Sequence, residues 1–269
     1  MRLFFIICLL SLCFCSVGQS YLPTQTHGAR SHGMGTIRLN LQDSWSYFNN
    51  IGALARNEST GISVGYDSRF GLKELQTVSL AGNFPVQFGQ IGFGVSRFGG
   101  KLFNQQSLGI GFSNQLGIVS FGIRADWFQT NIEGFGTGNS LIISFGGVAE
   151  LGPKIFLSTH VSNVNRAKLS ENTEERLDTQ IDMGMSYIPN SKLGLHLELS
   201  KSLQNDPRVR AGLEYSLKDW VIFRTGIISN PGDIFFGLGL KPGKFLADYA
   251  FGQNGPLGST HNLSIGWIW

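Results

Sequence analysis

The sequence predicts an all-β membrane protein: a transmembrane antiparallel up-and-down β-barrel of about fourteen strands with a small N-terminal plug segment. Three observations carry that reading. From Gly61 to Trp269, apolar residues alternate with Gly, Ser, Thr or charged residues at a period of two, the spacing of a strand whose successive side chains point to opposite faces. One parity is polar or small almost throughout, while the other is apolar and rich in Tyr and Trp, as a lipid-facing wall around a hydrophilic interior requires. The connections between segments are short and long in turn, as in barrels with tight periplasmic turns and longer outer loops.

Composition excludes several other classes. Of 269 residues, 42% are hydrophobic and 14% charged, with 21 Phe, whereas a disordered chain is poor in apolar residues. There are 36 Gly but only 8 Pro, which is neither collagen-like nor Pro/Gly low complexity. The net charge of +3 comes without a Lys/Arg block, so no nucleic-acid partner is expected.

Residues 1–18 read as a secretory signal peptide: Arg2, the apolar run Leu3–Cys15, then Ser16-Val17-Gly18 with cleavage before Gln19. The run is too short to cross a hydrocarbon layer of ~30 Å as a helix. Cys8, Cys13 and Cys15 all lie within it, so the mature chain is expected to have no disulfide and no thiolate chemistry. Leu12 and Phe14 stand before Cys13 and Cys15, where lipidation requires a small residue. Residues 19–58 differ in character and are expected to form a periplasmic plug or hatch. Ala, Leu and Phe between Asp43 and Ala55 fit one or two helical turns packed in the barrel mouth.

Residues 59–269 are expected to form the barrel, in strands of ~10 residues. Their predicted starts lie near Thr60, Leu75, Phe88, Gln105, Leu116, Asn139, Pro153, Arg176, Lys192, Pro207, Lys218, Gly232, Gly243 and Gly258. Pro85–Gln87, Leu151–Gly152, Pro189–Ser191 and Pro242 are the short connections. Gly99–Asn104, Thr130–Gly138 and Asn163–Glu175 are the long ones, and they fall on one side with Ser68–Glu74. A soluble β-sandwich would also alternate. Against it, the inward parity carries Arg124, Asp126, Asp182, His196, Glu198, Arg210, Glu214, Arg224 and Asp248, while the other carries Tyr66, Trp127, Tyr187, Tyr215, Trp220 and Tyr249. Acidic and basic members of the inward set nearly balance, which predicts a packed electrostatic network in the lumen in place of a strongly ion-selective pore.

The plug region carries Gly28-Ala29-Arg30, Gly33-Met34-Gly35, Asp43, Trp45 and Phe48-Asn49-Asn50, followed by Ile51-Gly52-Ala53-Leu54-Ala55. This passage resembles the N-terminal signature of FadL-like outer-membrane proteins and, more closely, of the PorV/PorQ group of Bacteroidetes. It departs from that group in lacking the proline of the Pro-Ala-Gly-Leu-Ala element. The resemblance implies a fourteen-strand barrel whose N-terminal segment plugs the lumen. It also implies trimmed outer loops, because the chain is shorter than those relatives. Some members pass hydrophobic molecules, and PorV-type members hold or shuttle cargo of the type IX secretion system.

Bond-making chemistry has little footing. Gly92-Phe93-Gly94 and Gly237-Leu238-Gly239 neither complete G-x-G-x-x-G nor open onto a helix. His27 and His32 have no Cys or carboxylate cluster beside them, so no metal or other cofactor is expected. Asn57-Glu58-Ser59 and Asn262-Leu263-Ser264 match a glycosylation sequon that has no meaning in a bacterial barrel. A barrel phospholipase would need a Ser–His pair at the outer lipid boundary; His160 and His261 are available, but no spacing singles one out. The chain is therefore expected to be a non-enzymatic integral outer-membrane barrel, in contact with lipid and with secretion-system proteins or cargo, acting as an accessory or cargo-handling component of type IX secretion. The alternative is a FadL-like passive transporter of small hydrophobic molecules, which predicts an apolar groove and a side opening in the wall.

Overall fold

The computed structural model describes residues 24–170, 174–203, 205–230, 232–255 and 257–269. The expected leader, its three cysteines and residues 19–23 lie outside them. The chain forms β1 (Gly61–Arg69), β2 (Gln76–Val86), β3 (Gly89–Gly99), β4 (Phe103–Leu116), β5 (Val119–Ile132), β6 (Gly136–Gly152) and β7 (Ile155–Ser162). It continues through β8 (Gln180–Asn190), β9 (Leu193–Ser202), β10 (Arg208–Lys218), β11 (Val221–Ile228), β12 (Asp233–Leu240), β13 (Phe245–Asn254) and β14 (Gly258–Ile268). Each strand pairs antiparallel with its sequence neighbours, and β1 closes on β14 from Gly61↔Ile268 to Arg69↔Thr260. Hydrocarbon offers no partner for a free backbone N–H or C=O, so closure satisfies what an open sheet edge would leave unpaired.

The fourteen-strand count and the alternation hold. Val64, Ile110, Met183 and Leu238 point to the exposed outer face, while Ser63, Asp67, Ser79, Asn83 and Ser144 are buried inside. Exposed aromatics form two belts. Tyr66, Trp127 and Tyr249 lie toward the end with longer connections, and Tyr187, Tyr215, Trp220 and Trp267 lie toward the tight-turn end.

Three expectations need correction. The eighth strand begins at Gln180 and not near Arg176, because Arg176 is spent on an isolated bridge to Lys168 inside the preceding connection. Gly99–Asn104 and Thr130–Gly138 are not long loops: β3 reaches Gly99, β5 reaches Ile132 and β6 starts at Gly136. Their polar residues resemble loop sequence, yet Gln129↔Asn139 and Asn131↔Thr137 stay in register. Beyond the lipid a ladder no longer needs an apolar face, so polar strands persist there. Strand length is corrected with it: β4 and β5 have 14 residues and β6 has 17. Of the expected long connections, only the one after β7 is extended. It folds inward, seating Leu177, Ala167 and Leu169 on the inward side chains Phe128 and Ile142.

Candidate functional site

The lumen is filled by the segment that precedes β1. Near the end with longer connections, Gln25 donates to Thr77 Oγ1 at 2.8 Å. From there the chain descends through three short helices, α1 (Ala29–His32), α2 (Ser46–Asn49) and α3 (Ile51–Leu54). It leaves at the tight-turn end, where the Asn83 amide donates to Ser59 O at 2.6 Å. Single helical turns have no stability of their own. What holds these is packing: Trp45, Tyr47, Phe48, Ile51 and Leu54 form one buried cluster, and Met34, Ile37 and Leu41 another. Asn50 also caps α3, accepting from Gly52 N at 3.1 Å.

Glycines let plug and wall approach backbone to backbone. A Cβ on Gly33 would sit 2.8 Å from Gly237 Cα, and one on Gly52 would sit 2.5 Å from the Gly146 carbonyl carbon. From the wall side, a Cβ on Gly226 would reach 2.1 Å from the Met34 carbonyl carbon, and one on Gly94 would reach 2.4 Å from the Tyr47 ring. The inward glycines of the period-two pattern are thus the negative of the plug's shape.

The motif residues meet in this packing. Gly28 (φ +90) lies under the Trp45 indole, and Ala29 N donates to Ser264 Oγ at 2.9 Å. Asn49 and His27 exchange hydrogen bonds of 2.8 and 3.0 Å, and His27 stacks on Phe48 with centroids 4.1 Å apart. Asn50 donates to Leu39 O at 2.7 Å. Asp43 accepts from Trp45 N at 3.0 Å and pairs with Arg30 at 3.1 Å. Gly35, Ala53 and Ala55 lie in the same inner packing, the last donating its N–H to Ser113 Oγ at 3.1 Å.

Charge follows the same plan. Arg30 forks onto Glu214 at 2.7 and 2.9 Å, and Glu214 is shared with Arg224, which also reaches Asp248; both of those contacts are 2.6 Å. Arg38 ion-pairs with Asp182, and the backbone N–H groups of Arg38 and Leu39 donate to Glu198 at 2.9 and 2.7 Å. Arg210 stands 3.6 Å from Asp182 and 3.8 Å from Glu198. Arg124 donates to the carbonyls of Tyr47 and Phe48, each at 2.8 Å, and pairs with Asp126 at 2.7 Å, which accepts the Tyr47 hydroxyl at 2.7 Å. His196 stands apart from the plug, bonded to Ser186 at 2.8 Å.

Burial, reinforced by Asp126, raises the Tyr47 hydroxyl above the usual phenol range, so it stays a donor. Burial works against the Arg30 charge, but Glu214 and Asp43 outweigh it and hold the guanidinium firmly protonated. Burial lifts the Asp43 carboxyl despite the pull of Arg30. His27 is lowered by burial and by Arg124; His32 is lowered to about 3 by burial and by Arg69. Both imidazoles are neutral, and no group of three His, Cys, Asp or Glu side chains able to hold a metal occurs among the described residues.

Sequence reasoning overlooked Arg38, Tyr47, Arg56 and Glu150. Arg56 pairs with Glu150 at 3.0 Å and donates to Ser120 at 3.1 Å. The signal for Arg38 was present: it is the lone Lys, Arg, Asp or Glu between Arg30 and Asp43, flanked by Ile37 and Leu39. His160 is buried inside the wall, while His261 faces outward, bonded to Tyr249 at 2.7 Å and Ser259 at 3.2 Å.

Cavities lie above and below the plug, and the upper one shares no lining residue with the two below. One of about 240 Å³ opens at the end with longer connections, and two of about 220 and 230 Å³ flank Arg30 at the tight-turn end. On the outside of β8–β11 runs an apolar groove of about 460 Å³, lined by Met185, Tyr187, Leu195, Leu197, Leu213 and Ile227. Its floor is Gly212 and Gly226, with Met34 directly behind them.

A closed fourteen-strand wall with a lumen-filling N-terminal segment defines a plugged transmembrane barrel. No protein-family model and no curated protein matches the sequence. Among solved structures, the chain is similar to the toluene transporter TbuX of Ralstonia pickettii, with TM-score 0.68 and 12% identity over 91% of this chain and 98% of that one. It is also similar to the CymD monoaromatic hydrocarbon channel (0.66, 13%, covering 90% and 96%) and to the toluene transporter TodX of Pseudomonas putida (0.65, 10%, covering 91% and 97%). The likeness to these proteins is one of fold.

Proposed function

We propose that this chain is a FadL-like outer-membrane channel that passes small hydrophobic molecules without chemical change, with residues 24–59 as its barrier. The observation that carries the reading is the apolar groove over Gly212 and Gly226, where only backbone separates the lipid phase from the plug. A greasy solute that leaves water for this groove and the lipid around it gains about 25 cal/mol for each Å² of apolar surface removed from water. No side opening lies behind this groove: Gly212↔Gly226 and Leu213↔Thr225 keep the β10–β11 ladder continuous there. Passage therefore requires the plug to shift. Proteoliposomes holding the purified barrel should take up toluene faster than empty vesicles, and Ala211→Trp, which fills the groove, should slow uptake to near the empty-vesicle rate. Equal uptake by loaded and empty vesicles would refute the reading.

One observation favours the second reading, an accessory or cargo-holding role in type IX secretion. The motif side chains spend their polar groups within the plug, on His27, Leu39 O and Trp45 N, and on the inner wall at Glu214, which suits a sealed, non-conducting barrel. Co-purification of secretion-machinery proteins from native membranes, with no toluene uptake, would establish that role over the first.

A further inference from the structure

The outer wall carries a polar constellation that neither the lumen nor the plug accounts for. Four of the five histidines, His27, His32, His160 and His196, are buried inside the barrel, whereas His261 of β14 is exposed. It shares its parity with Leu263, Ile265 and Trp267, which the wall presents to lipid. Both of its ring nitrogens are engaged. Nδ1 meets the Tyr249 hydroxyl of β13 at 2.7 Å, and Nε2 meets the Ser259 hydroxyl at 3.2 Å. Ser259 stands on the same face of the same strand, next to Gly258, where β14 begins at the end with longer connections. Pairing across the sheet sets Phe251 and Ser68 on either side of His261 and Gln253 directly opposite Ser259. The Phe251 ring meets the imidazole edge to face with centroids 5.5 Å apart, so the ring plane is held by packing as well as by hydrogen bonds.

A hydroxyl on one imidazole nitrogen and an orienting partner on the other is the arrangement of a nucleophile, its general base and the group that holds the base. With the Nδ1 proton donated to the Tyr249 oxygen, Nε2 is left to accept the proton of Ser259. Tyr249 also belongs to the outer aromatic belt with Tyr66 and Trp127, at the depth where headgroups give way to acyl chains. Ester carbonyls of membrane lipids lie at that depth. The chains below them would run along Leu263, Ile265 and Val64, neighbours on the exposed face of β14 and β1.

We infer that Ser259, His261 and Tyr249 form a hydrolytic site for the acyl esters of lipids in the outer leaflet, an activity separate from passage through the barrel. Ser259 Oγ attacks the ester carbonyl carbon while its proton passes to His261 Nε2. The Gln253 carboxamide, across from Ser259, donates to the oxygen that becomes negative. Collapse of the tetrahedral intermediate breaks the acyl C–O bond, and the leaving alcohol takes the proton from Nε2. Water then attacks the acyl-Ser259 carbonyl and gives a proton to Nε2; the carboxylic acid departs and Ser259 Oγ recovers the proton. Tyr249 is a positioning residue, acting through His261. The test uses the purified full barrel in detergent with a fluorophosphonate probe and p-nitrophenyl butyrate, and proteoliposomes for lipid substrates. The probe should label Ser259, as read by peptide mass spectrometry, and His261→Asn should abolish the label. Ser259→Ala and His261→Asn should each slow p-nitrophenyl butyrate hydrolysis about a hundredfold or more. Tyr249→Phe should lower kcat about tenfold with KM unchanged, the loss of one hydrogen bond. Heat-modifiable migration on a gel identifies folded variants. Dioleoylphosphatidylethanolamine proteoliposomes should release oleate; acyl release from lipopolysaccharide alone would support the site with that lipid as its substrate. Release from neither lipid, an unlabelled Ser259, or undiminished hydrolysis by folded Ser259→Ala would each overturn the proposal.

Discussion

At the scale of single residues, the plug is held by contacts that tolerate no added atom. Gly226 is the sharpest case, since any Cβ there collides with the Met34 carbonyl. Gly226→Val should displace the Gly33–Gly35 turn at a cost of about 3 kcal/mol while the wall still closes. Planar-bilayer recording should then show larger or more frequent conductance steps than the parent chain; a silent variant with parental stability would contradict the packing described. The neutral histidines make a second prediction. His27 is held well below its ordinary pKa and His32 at about 3, so below pH ~6.5 the unfolded chain takes up protons that the folded plug refuses. Stability is fully present above that pH and falls as the medium is acidified, by about 2 kcal/mol for each histidine at pH 5. Protease cleavage within residues 24–56 should accelerate between pH 7 and pH 5, and His27→Asn with His32→Asn should flatten that dependence.

At the scale of elements, α1, α2 and α3 hold their shape only inside the barrel. Three arginines tie the plug to three separate wall strands: Arg30 to β10, Arg38 to β8 and Arg56 to β6. Arg38→Met leaves Asp182 buried with a weaker set of partners, and breaking such a pair from one side costs about 3 kcal/mol. Urea denaturation followed by Trp45 fluorescence should show an early plug transition in this variant and one merged transition in the parent. The extended connection after β7 is an element of the same kind, since Leu177, Ala167 and Leu169 seat it on Phe128 and Ile142. Leu177→Asp should expose it to protease without changing the barrel's migration on a gel.

At the scale of the whole molecule, the wall is stabilised by lipid outside and by the plug inside. Charge on the outer face opposes the first: Ile110→Arg near mid-wall should cost about 2–4 kcal/mol in a folding titration into lipid vesicles, whereas a polar change at the inward Ser144 should leave insertion intact. The strand count and both faces were legible because alternation is a local property: Ile62, Val64 and Tyr66 oppose Ser63, Gly65 and Asp67 whatever their partners. The eight inward charges and His196 were legible for the same reason. Their grouping was not, since Arg38 and Asp182 lie 144 residues apart and only closure of the sheet sets them side by side. Likewise the reach of β5 and β6 was hidden, because polar residues beyond the lipid carry no facial pattern to distinguish strand from loop.

The amino-acid order alone therefore determined a two-faced wall and an N-terminal segment unlike it, since lipid and lumen sort side chains strand by strand. Tertiary structure decided how deep the plug sits, which glycines it rests on and which carboxylates each arginine meets. Those depend on register around a closed ring, a property that no window of sequence contains.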